Sequence, residues 1–476
     1  MVRVRYAPSP TGEIHIGNAR TALFNYLFAR HERGTFILRL DDTDRRRSTE
    51  EAIKSMVQDI NWLGIDWDEG YLKGGEFGPY RQSERMDIYN HYVDTLLERG
   101  SAYELYYTEE EIQSIREEYE KTLTVFSYRK LKENETEERR KSFKDKGISP
   151  AIVFKVEEDV DIKINDLVRG EVHFSSSEFS DFVIKRSNGI PIYNYATVID
   201  DALMKITHVI RAEEHLSNTP KQILIFKALD FDLPVFAHIS LILAEDRTKL
   251  SKRHGATSIG QFRDMGFLPE AMFNFLALLG WSPKDNREFF SKEELIELFT
   301  IESVNKAPAV FDINKLKWMN HRYIENLSGK EIYDKAKEIG IKFEERDKDW
   351  WLGFIVDMKE HFNTLKDIDM NAKPLFDEFI LNEVYVDTLK NLHVLELLNK
   401  VKNKLEEIDI WDKEKILEAI RITGKELQIK GKNLYFPIRL AVTGKDEGME
   451  VHEYMYFIGK EETLMRLKKV SGGLNA

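Results

Sequence analysis

Arg3-Val4-Arg5-Tyr6-Ala7-Pro8-Ser9-Pro10-Thr11-Gly12-Glu13-Ile14-His15-Ile16-Gly17-Asn18 decides the fold. Residues 3–6 alternate and are partly β-branched or aromatic, so they read as a short strand. The Pro/Ser/Thr/Gly-rich run 7–13 reads as a loop. Beyond it Ala19, Ala22, Leu23, Tyr26 and Leu27 recur at helical spacing. Strand, glycine-containing loop and helix open an α/β nucleotide-binding unit. A helix start leaves backbone N–H groups free and carries partial positive charge, which suits phosphate. His15 can donate a ring N–H to a phosphate oxygen, and Gly17 leaves room for adenine against the backbone. Taken alone, the same residues are explained more simply as a turn.

Outward from this stretch, residues 36–40 predict the next strand, and a capping box Ser48…Glu51 predicts a helix with Ala52, Ile53, Met56 and Ile60 on one face. Met86, Tyr89, Val93 and Leu96 mark another helix. From about 103 to 189 the texture changes. Thr108…Glu111 caps a charged helix, a second charged stretch covers 133–146, and residues 152–156, 172–174 and 182–185 read as strands. This is the pattern of an inserted α+β domain. The α/β texture resumes with strands expected at 192–195 and 207–211, then a helix at Thr219-Pro220-Lys221-Gln222, with Thr219 as cap and Gln222 closing a capping box. After Ile259 the chain reads as nearly all helix. An apolar helix at 271–279 ends at Gly280, and Leu389, Leu392, Leu395, Leu398, Val401 and Leu405 form one helical stripe.

The chain has 476 residues, enough for several domains. Its 42% hydrophobic and 32% charged content fits a globular protein and excludes wholesale disorder. It has no cysteine, which rules out disulfides and thiolate zinc sites. No long apolar run and no signal-peptide core occur, so a cytoplasmic protein without membrane spans is expected. A net charge of −13 counts against a generic nucleic-acid binder, so any RNA-binding cations have to be gathered on one face.

A second cluster carries chemistry. Lys249-Leu250-Ser251-Lys252-Arg253 sets three cations within five residues. It reads either as a solvated loop or as a loop closing on a polyphosphate. With the phosphate-cradling helix start near residue 15, it brackets an α/β unit carrying one insertion. Here the sequence resembles the class I aminoacyl-tRNA synthetases: His15-Ile16-Gly17-Asn18 is similar to their HIGH signature and residues 249–253 to their KMSKS signature.

The resemblance narrows to the glutamyl-tRNA synthetases. It rests on residues 5–12, Arg39-Leu40-Asp41-Asp42-Thr43-Asp44, Gly78-Pro79-Tyr80-Arg81-Gln82-Ser83-Glu84-Arg85, the run 209–220, and Phe311-Asp312 through Lys315-Leu316 to Trp318 and Asn320. It implies a Rossmann-type parallel sheet in 1–80 and 190–240, an inserted acceptor-end domain in 81–189, a KMSKS loop and stem-contact helical domain in 241–322, and an all-helical anticodon-binding region in 323–476. The implied partners are ATP, Mg²⁺, L-glutamate and tRNA, and the family's habit is to act as a monomer.

The resemblance also implies roles. His15, Gly17, Asn18, Lys249 and Lys252 are expected at the chemistry. Pro8, Ser9, Thr11, Gly12, Leu250, Ser251 and Arg253 join them around ATP. Glutamate is expected among Arg5, Ala7, Ser9, Asp41, Tyr193, Thr197 and Arg211, with Arg211 first for the side-chain carboxylate because guanidinium reads carboxylate bidentately. Asp41, expected to hold the substrate ammonium, stands where the family usually has Glu. Some members bind zinc through cysteines near position 105; this chain has none there, and no structural zinc is expected. Trp350 and Trp351 read first as helix-packing core and second as base-stacking platforms.

Three rivals fare worse. A glutaminyl-tRNA synthetase carries a β-barrel C-terminal half, which the helical texture opposes. A truncated relative that modifies a tRNA base lacks an anticodon region, which the length opposes. A non-catalytic paralogue is expected to have lost His15, Gly17 or Lys252, and all are present.

Overall fold

The structure is a computed structural model that describes every residue except 11, 44–47, 122–125, 345, 381–382 and 474–476. Two units divide the chain, Met1–Asn320 and His321–Ala476.

In the first unit β1 (Arg3–Tyr6) pairs in parallel with β2 (Thr35–Leu38), and β2 with β3 (Glu69–Gly70). The inserted segment supplies β4 (Ala102–Leu105), β5 (Ala151–Phe154) and β8 (Phe182–Lys185) as one antiparallel sheet, and a hairpin of β6 (Asp161–Asp166) and β7 (Gly170–Ser175). The nucleotide-binding fold then resumes with β9 (His208–Ala212) parallel to β10 (Val235–Ile239). The Thr207 N–H donates to Arg3 O at 2.9 Å, which lays β9 along the side of β1 away from β2. The order of strands therefore reverses at β1, and a ligand crevice is expected beyond the carboxyl ends of strands at such a reversal. Arg5 and Arg211 both lie near those ends.

The helix Ile16–His31 is buried nearly all round, with Ile16, Ala19, Leu23, Phe24, Leu27 and Ala29 all inaccessible. It is thus the central helix of its layer, and its start is fixed by packing as well as by its cap. His15 caps it, accepting at Nδ1 from the Gly17 N–H at 3.2 Å.

Several expectations are corrected. Residues 192–195 do not form a strand. Tyr193–Leu203 is a helix that buries Tyr195, Ala196, Val198 and Ile199, because a helical apolar face outweighs the local β-preference of Ile and Tyr. Thr219 does not cap its helix. Asn218 holds that position, and the Thr219 hydroxyl instead takes a hydrogen bond from Arg211. Gln222 closes no capping box but donates to Asn194 Oδ1 at 3.1 Å. The helix Glu50–Trp62 is capped by Thr49, one residue later than the expected Ser48. Strands β4 and β6 escaped the sequence reading, since β6 alternates charged and apolar residues over only six positions. The Thr108…Glu111 box forms as expected, with reciprocal bonds of 2.8 and 3.2 Å.

The second unit is helical throughout its described residues. The expected stripe at 389–405 is broken: Asn391 caps a new helix, Leu392–Glu406, and leaves Leu392 exposed while Leu395, Leu398, Val401 and Leu405 are buried. Trp351 is buried core, and Trp350, half-buried, stacks on Phe354 with centroids 5.4 Å apart.

Candidate active site

The two signatures lie 234 positions apart, from His15 to Lys249, and meet through backbone. Ile16 N–H donates to Thr257 O and Ile259 N–H to Ile14 O, both at 2.9 Å, and the Ser258 hydroxyl donates to Glu13 at 2.5 Å. The lysine loop is therefore tethered immediately beyond its end to the start of the helix Ile16–His31.

His15 is neutral at ordinary pH. Burial lowers its pKa, and the nearby cations Lys249 and Lys252 lower it further. Because Nδ1 accepts from Gly17, the ring proton sits on Nε2, which makes Nε2 a donor. A Cβ on Gly17 would meet only His15 Nδ1, at 3.6 Å. No other described side chain or loop comes within 4 Å of that position. Gly12 has φ +139°, a conformation that fits glycine alone. Asn18 is exposed on the first turn. Thr11 and Asp44 lie outside the described residues.

In the lysine loop Leu250 is buried and anchors the segment, leaving Lys252 and Arg253 exposed. Lys249 Nζ lies 2.6 Å from Glu214. The Ser251 hydroxyl and N–H both lie 3.1 Å from His254 Nδ1, so Ser251 closes a local box. Arg253 donates to Thr248 at 3.0 Å.

Across the crevice floor is a buried, charge-balanced network. Arg5 donates to both oxygens of Asp201, at 3.1 and 3.2 Å. Arg39 donates to Asp41 at 2.8 Å and to Asp201 at 2.7 Å. Asp200 accepts from Arg85 at 2.6 Å, Gln82 at 2.8 Å and Tyr89 at 3.0 Å. Three guanidiniums face three carboxylates, so the network is balanced in charge. Burial pushes the Asp41 carboxyl up to about 6, against the pull of Arg39. For Asp201 burial is outweighed by Arg5 and Arg39, which hold it below the usual carboxylate range.

Arg211 is different. It is as buried as Arg5, at 4% exposed against 5%, yet no carboxylate pairs with it among the described residues. Its partners are neutral: His238 Nε2 at 3.1 Å, the Thr219 hydroxyl at 2.8 Å, and, more distantly, Tyr193 OH and His215 O, both at 3.5 Å. Burial lowers its pKa. Burial followed by the charge of Arg211 drives His215 down to about 4, so that ring is neutral too. An uncompensated buried cation is costly, and an anionic ligand is its natural counterion.

An open cleft of about 1300 Å³ is lined by Ser9, Thr43, Tyr193, Asn194, Asn188 and Asn218 among others, and Tyr193, 3.5 Å from Arg211 through its hydroxyl, separates it from this cation. Ala7 and Pro8 continue the loop that carries Ser9, and Pro8 O accepts from the Asp41 N–H at 3.0 Å. Thr197 lies one helical turn beyond Tyr193; it is buried, and its hydroxyl has no partner among the described residues. The described residues contain no group of three His, Cys, Asp or Glu able to hold a metal.

Residues 1–318 match the family described as class I tRNA synthetases (E and Q), catalytic domain, and residues 327–471 match an anticodon binding domain. A glutamate–tRNA ligase of Caldicellulosiruptor saccharolyticus is 48% identical, with 98% of each chain covered. One from Bacillus subtilis is 45% identical over 98% of this chain and 99% of its own. The chain belongs to the glutamate–tRNA ligases. The crystal structure of a glutamate tRNA ligase from Elizabethkingia meningosepticum in complex with its amino acid superposes with a TM-score of 0.86 at 36% identity, covering 99% of both chains. The class I fold, the helical anticodon-domain likeness and the family expected from the sequence are thereby borne out. No described helix is long and apolar enough to cross a membrane.

Sequence reasoning passed over Asp200, Asp201, His238 and Asp166. A signal existed for the first two, an acidic pair directly after Val198-Ile199 on an apolar helix face. His238 gave less, a single polar residue in the strand Val-Phe-Ala-His-Ile.

Proposed function

We propose that the chain activates L-glutamate with ATP and transfers it to the terminal adenosine of a tRNA, and that Arg211 reads the substrate's side-chain carboxylate. The observation that carries the proposal is the buried guanidinium of Arg211, held at close range only by His238 and Thr219 and paired with no carboxylate among the described residues. A glutamine amide would leave that charge uncompensated, so the pocket favours the acid.

The glutamate ammonium goes to Asp41, which has acceptor capacity beyond its bonds to Arg39. Ser9, Ala7, Tyr193 and Thr197 complete the amino-acid pocket, with Arg5 acting mainly through Asp201. ATP would be taken as its Mg²⁺ complex, the ion supplying positive charge to offset that of the phosphates. Pro8, Ser9, Thr11 and Gly12 frame the nucleotide loop; adenine lies against Gly17, and Asn18 flanks the first turn. His15 Nε2–H and the helix start hold phosphate oxygens.

The substrate α-carboxylate attacks the α-phosphorus, and pyrophosphate departs. Lys249 and Lys252 stabilise the charge developing on it, with Ser251, Leu250 and Arg253 shaping the loop. A terminal ribose hydroxyl of tRNA then attacks the activated carbonyl, and AMP leaves. The protein contributes positioning and electrostatics throughout. We assign residues 81–189 to the acceptor end, 241–322 to the loop and stem-contact region and 323–476 to the anticodon, in a monomer working in the cytoplasm.

The test is ATP-dependent attachment of labelled glutamate to purified transcripts of tRNA for glutamate and tRNA for glutamine, with a no-tRNA control. Charging of the first alone marks a discriminating enzyme. Charging of the second places it in the indirect route to glutaminyl-tRNA. Charging of neither by folded protein would sink the proposal.

A further inference from the structure

The hairpin turn between β6 and β7 belongs to the inserted domain, yet it packs against β10, the strand that carries His238. Leu167 N–H donates to Phe236 O at 2.9 Å. Arg169 donates to His238 O at 3.2 Å and to Lys306 O at 2.9 Å, and pairs with Glu213. Asp166 is buried at 3% exposed; its Oδ1 accepts from Val168 N–H at 3.0 Å and Arg169 N–H at 2.8 Å, and its Oδ2 lies 2.6 Å from His238 Nδ1.

Donor and acceptor chemistry then fixes the ring. An ionised carboxylate only accepts, so His238 Nδ1 bears the proton. Its Nε2 is left as an acceptor, and the group 3.1 Å away is Arg211 Nε, which can only donate. A doubly protonated ring or the Nε2–H tautomer would set N–H against N–H at Arg211. Thr219 completes the holder, accepting from Arg211 Nη2 at 2.8 Å. These neutral acceptors fix the guanidinium plane without cancelling its charge.

We infer that Asp166 and His238 are positioning residues for Arg211, so that a hairpin of the inserted domain sets the group that selects the amino-acid side chain. The inference rests on the assignment of Arg211 to the side-chain carboxylate. It links the domain assigned to the tRNA acceptor end to amino-acid recognition through a single hydrogen-bonded chain, Asp166 to His238 to Arg211.

The experiment compares Asp166→Asn, His238→Phe, His238→Gln and Arg211→Ala in the full-length protein, reading KM for glutamate, ATP and tRNA in the charging assay, Tm, and the ¹⁵N shifts of the His238 ring. Asp166→Asn keeps Oδ1 but presents an N–H to Nδ1. We expect the ring to exchange its proton to Nε2, visible as exchanged pyrrole-like and pyridine-like shifts. KM for glutamate should rise about tenfold or more while KM for ATP and tRNA stays near the parent value. His238→Phe should do the same, and His238→Gln, which keeps a donor and an acceptor, should recover part of the loss. An unchanged glutamate KM in both Asp166→Asn and His238→Phe overturns the inference, as does a parallel loss in all three constants with a lowered Tm, which marks a buttress only. If Arg211→Ala leaves the glutamate KM unmoved, the carboxylate assignment itself has failed; if only Arg211→Ala moves it, the assignment stands and the relay falls.

Discussion

Arg5 Nε lies 3.1 Å from Asp201 Oδ1 and its Nη2 3.2 Å from Oδ2, a two-pronged buried pair, whereas Arg211, equally buried, meets no carboxylate among the described residues. The two arginines should therefore fail in different ways. Arg211→Ala removes a charge-assisted contact to substrate, and KM for glutamate should rise roughly ten- to hundredfold with little change in KM for ATP. Arg5→Ala strands part of the Asp201 charge and should cost about 3 kcal/mol of stability, measured by denaturant unfolding. A stable Arg5→Ala protein with a selective glutamate defect would reverse the assignment.

Gly17 tests the nucleotide site. Its Cβ position is open apart from His15 Nδ1 at 3.6 Å, and an acid in the first turn suits the helix dipole. Gly17→Asp should fold with Tm close to the parent yet lose charging by about a hundredfold or more, because the carboxylate repels phosphate where backbone N–H groups should meet it. Retained charging would remove this glycine from the site.

The lysine loop should be separable from stability. Lys249 and Glu214 form an exposed pair, and Lys252 is exposed, so neither holds the fold. Lys252→Ala should leave the unfolding midpoint unchanged while lowering the rate of adenylate formation by about a hundredfold, followed as ATP–pyrophosphate exchange in the presence of tRNA.

Two groups in the pocket predict opposite responses to acid. Asp41 titrates near 6 instead of 3.8, and the charged form is the one that holds an ammonium. kcat/KM for glutamate should therefore fall as pH drops through about 6. For stability the sign is reversed: between about 4 and 6 the folded state binds the proton more tightly than the unfolded, so this carboxyl favours folding less as pH rises. His215, driven from 6.5 to about 4, works the other way. The unfolded chain takes up the proton first, so stability is present above 6.5 and is lost as pH falls toward about 4. His215→Gln should flatten the unfolding free energy across that window; an unchanged slope would mean that His215 is not the group responsible.

Trp351 gives a prediction for the second unit. It is 3% exposed and meets Phe343, Phe354 and Phe376 in ring contacts. Trp351→Ala should cost about 3–5 kcal/mol through the cavity left behind. Far-ultraviolet circular dichroism during denaturant unfolding should show an earlier transition for the helical C-terminal unit.

The sequence alone determined the local pieces. A strand of four residues and a helix behind His15 are set by nearest-neighbour preferences and by caps, and Arg3–Tyr6 and Ile16–His31 fold as their pattern dictates. The placement of Arg211 near the end of a strand was legible too, because a β-branched run closed by a cation announces itself in the chain. What only the tertiary structure decided is which charges cancel. Arg5 and Arg211 look alike on strands of similar texture, and residues 192–195 look like a strand until the buried face of the helix Tyr193–Leu203 outweighs them. Asp201 and Asp166, 196 residues from Arg5 and 72 from His238, reach their partners only after the sheet and the inserted hairpin close. Burial strengthens or cancels a charge according to its nearest neighbours in space, and those neighbours are long-range in the chain.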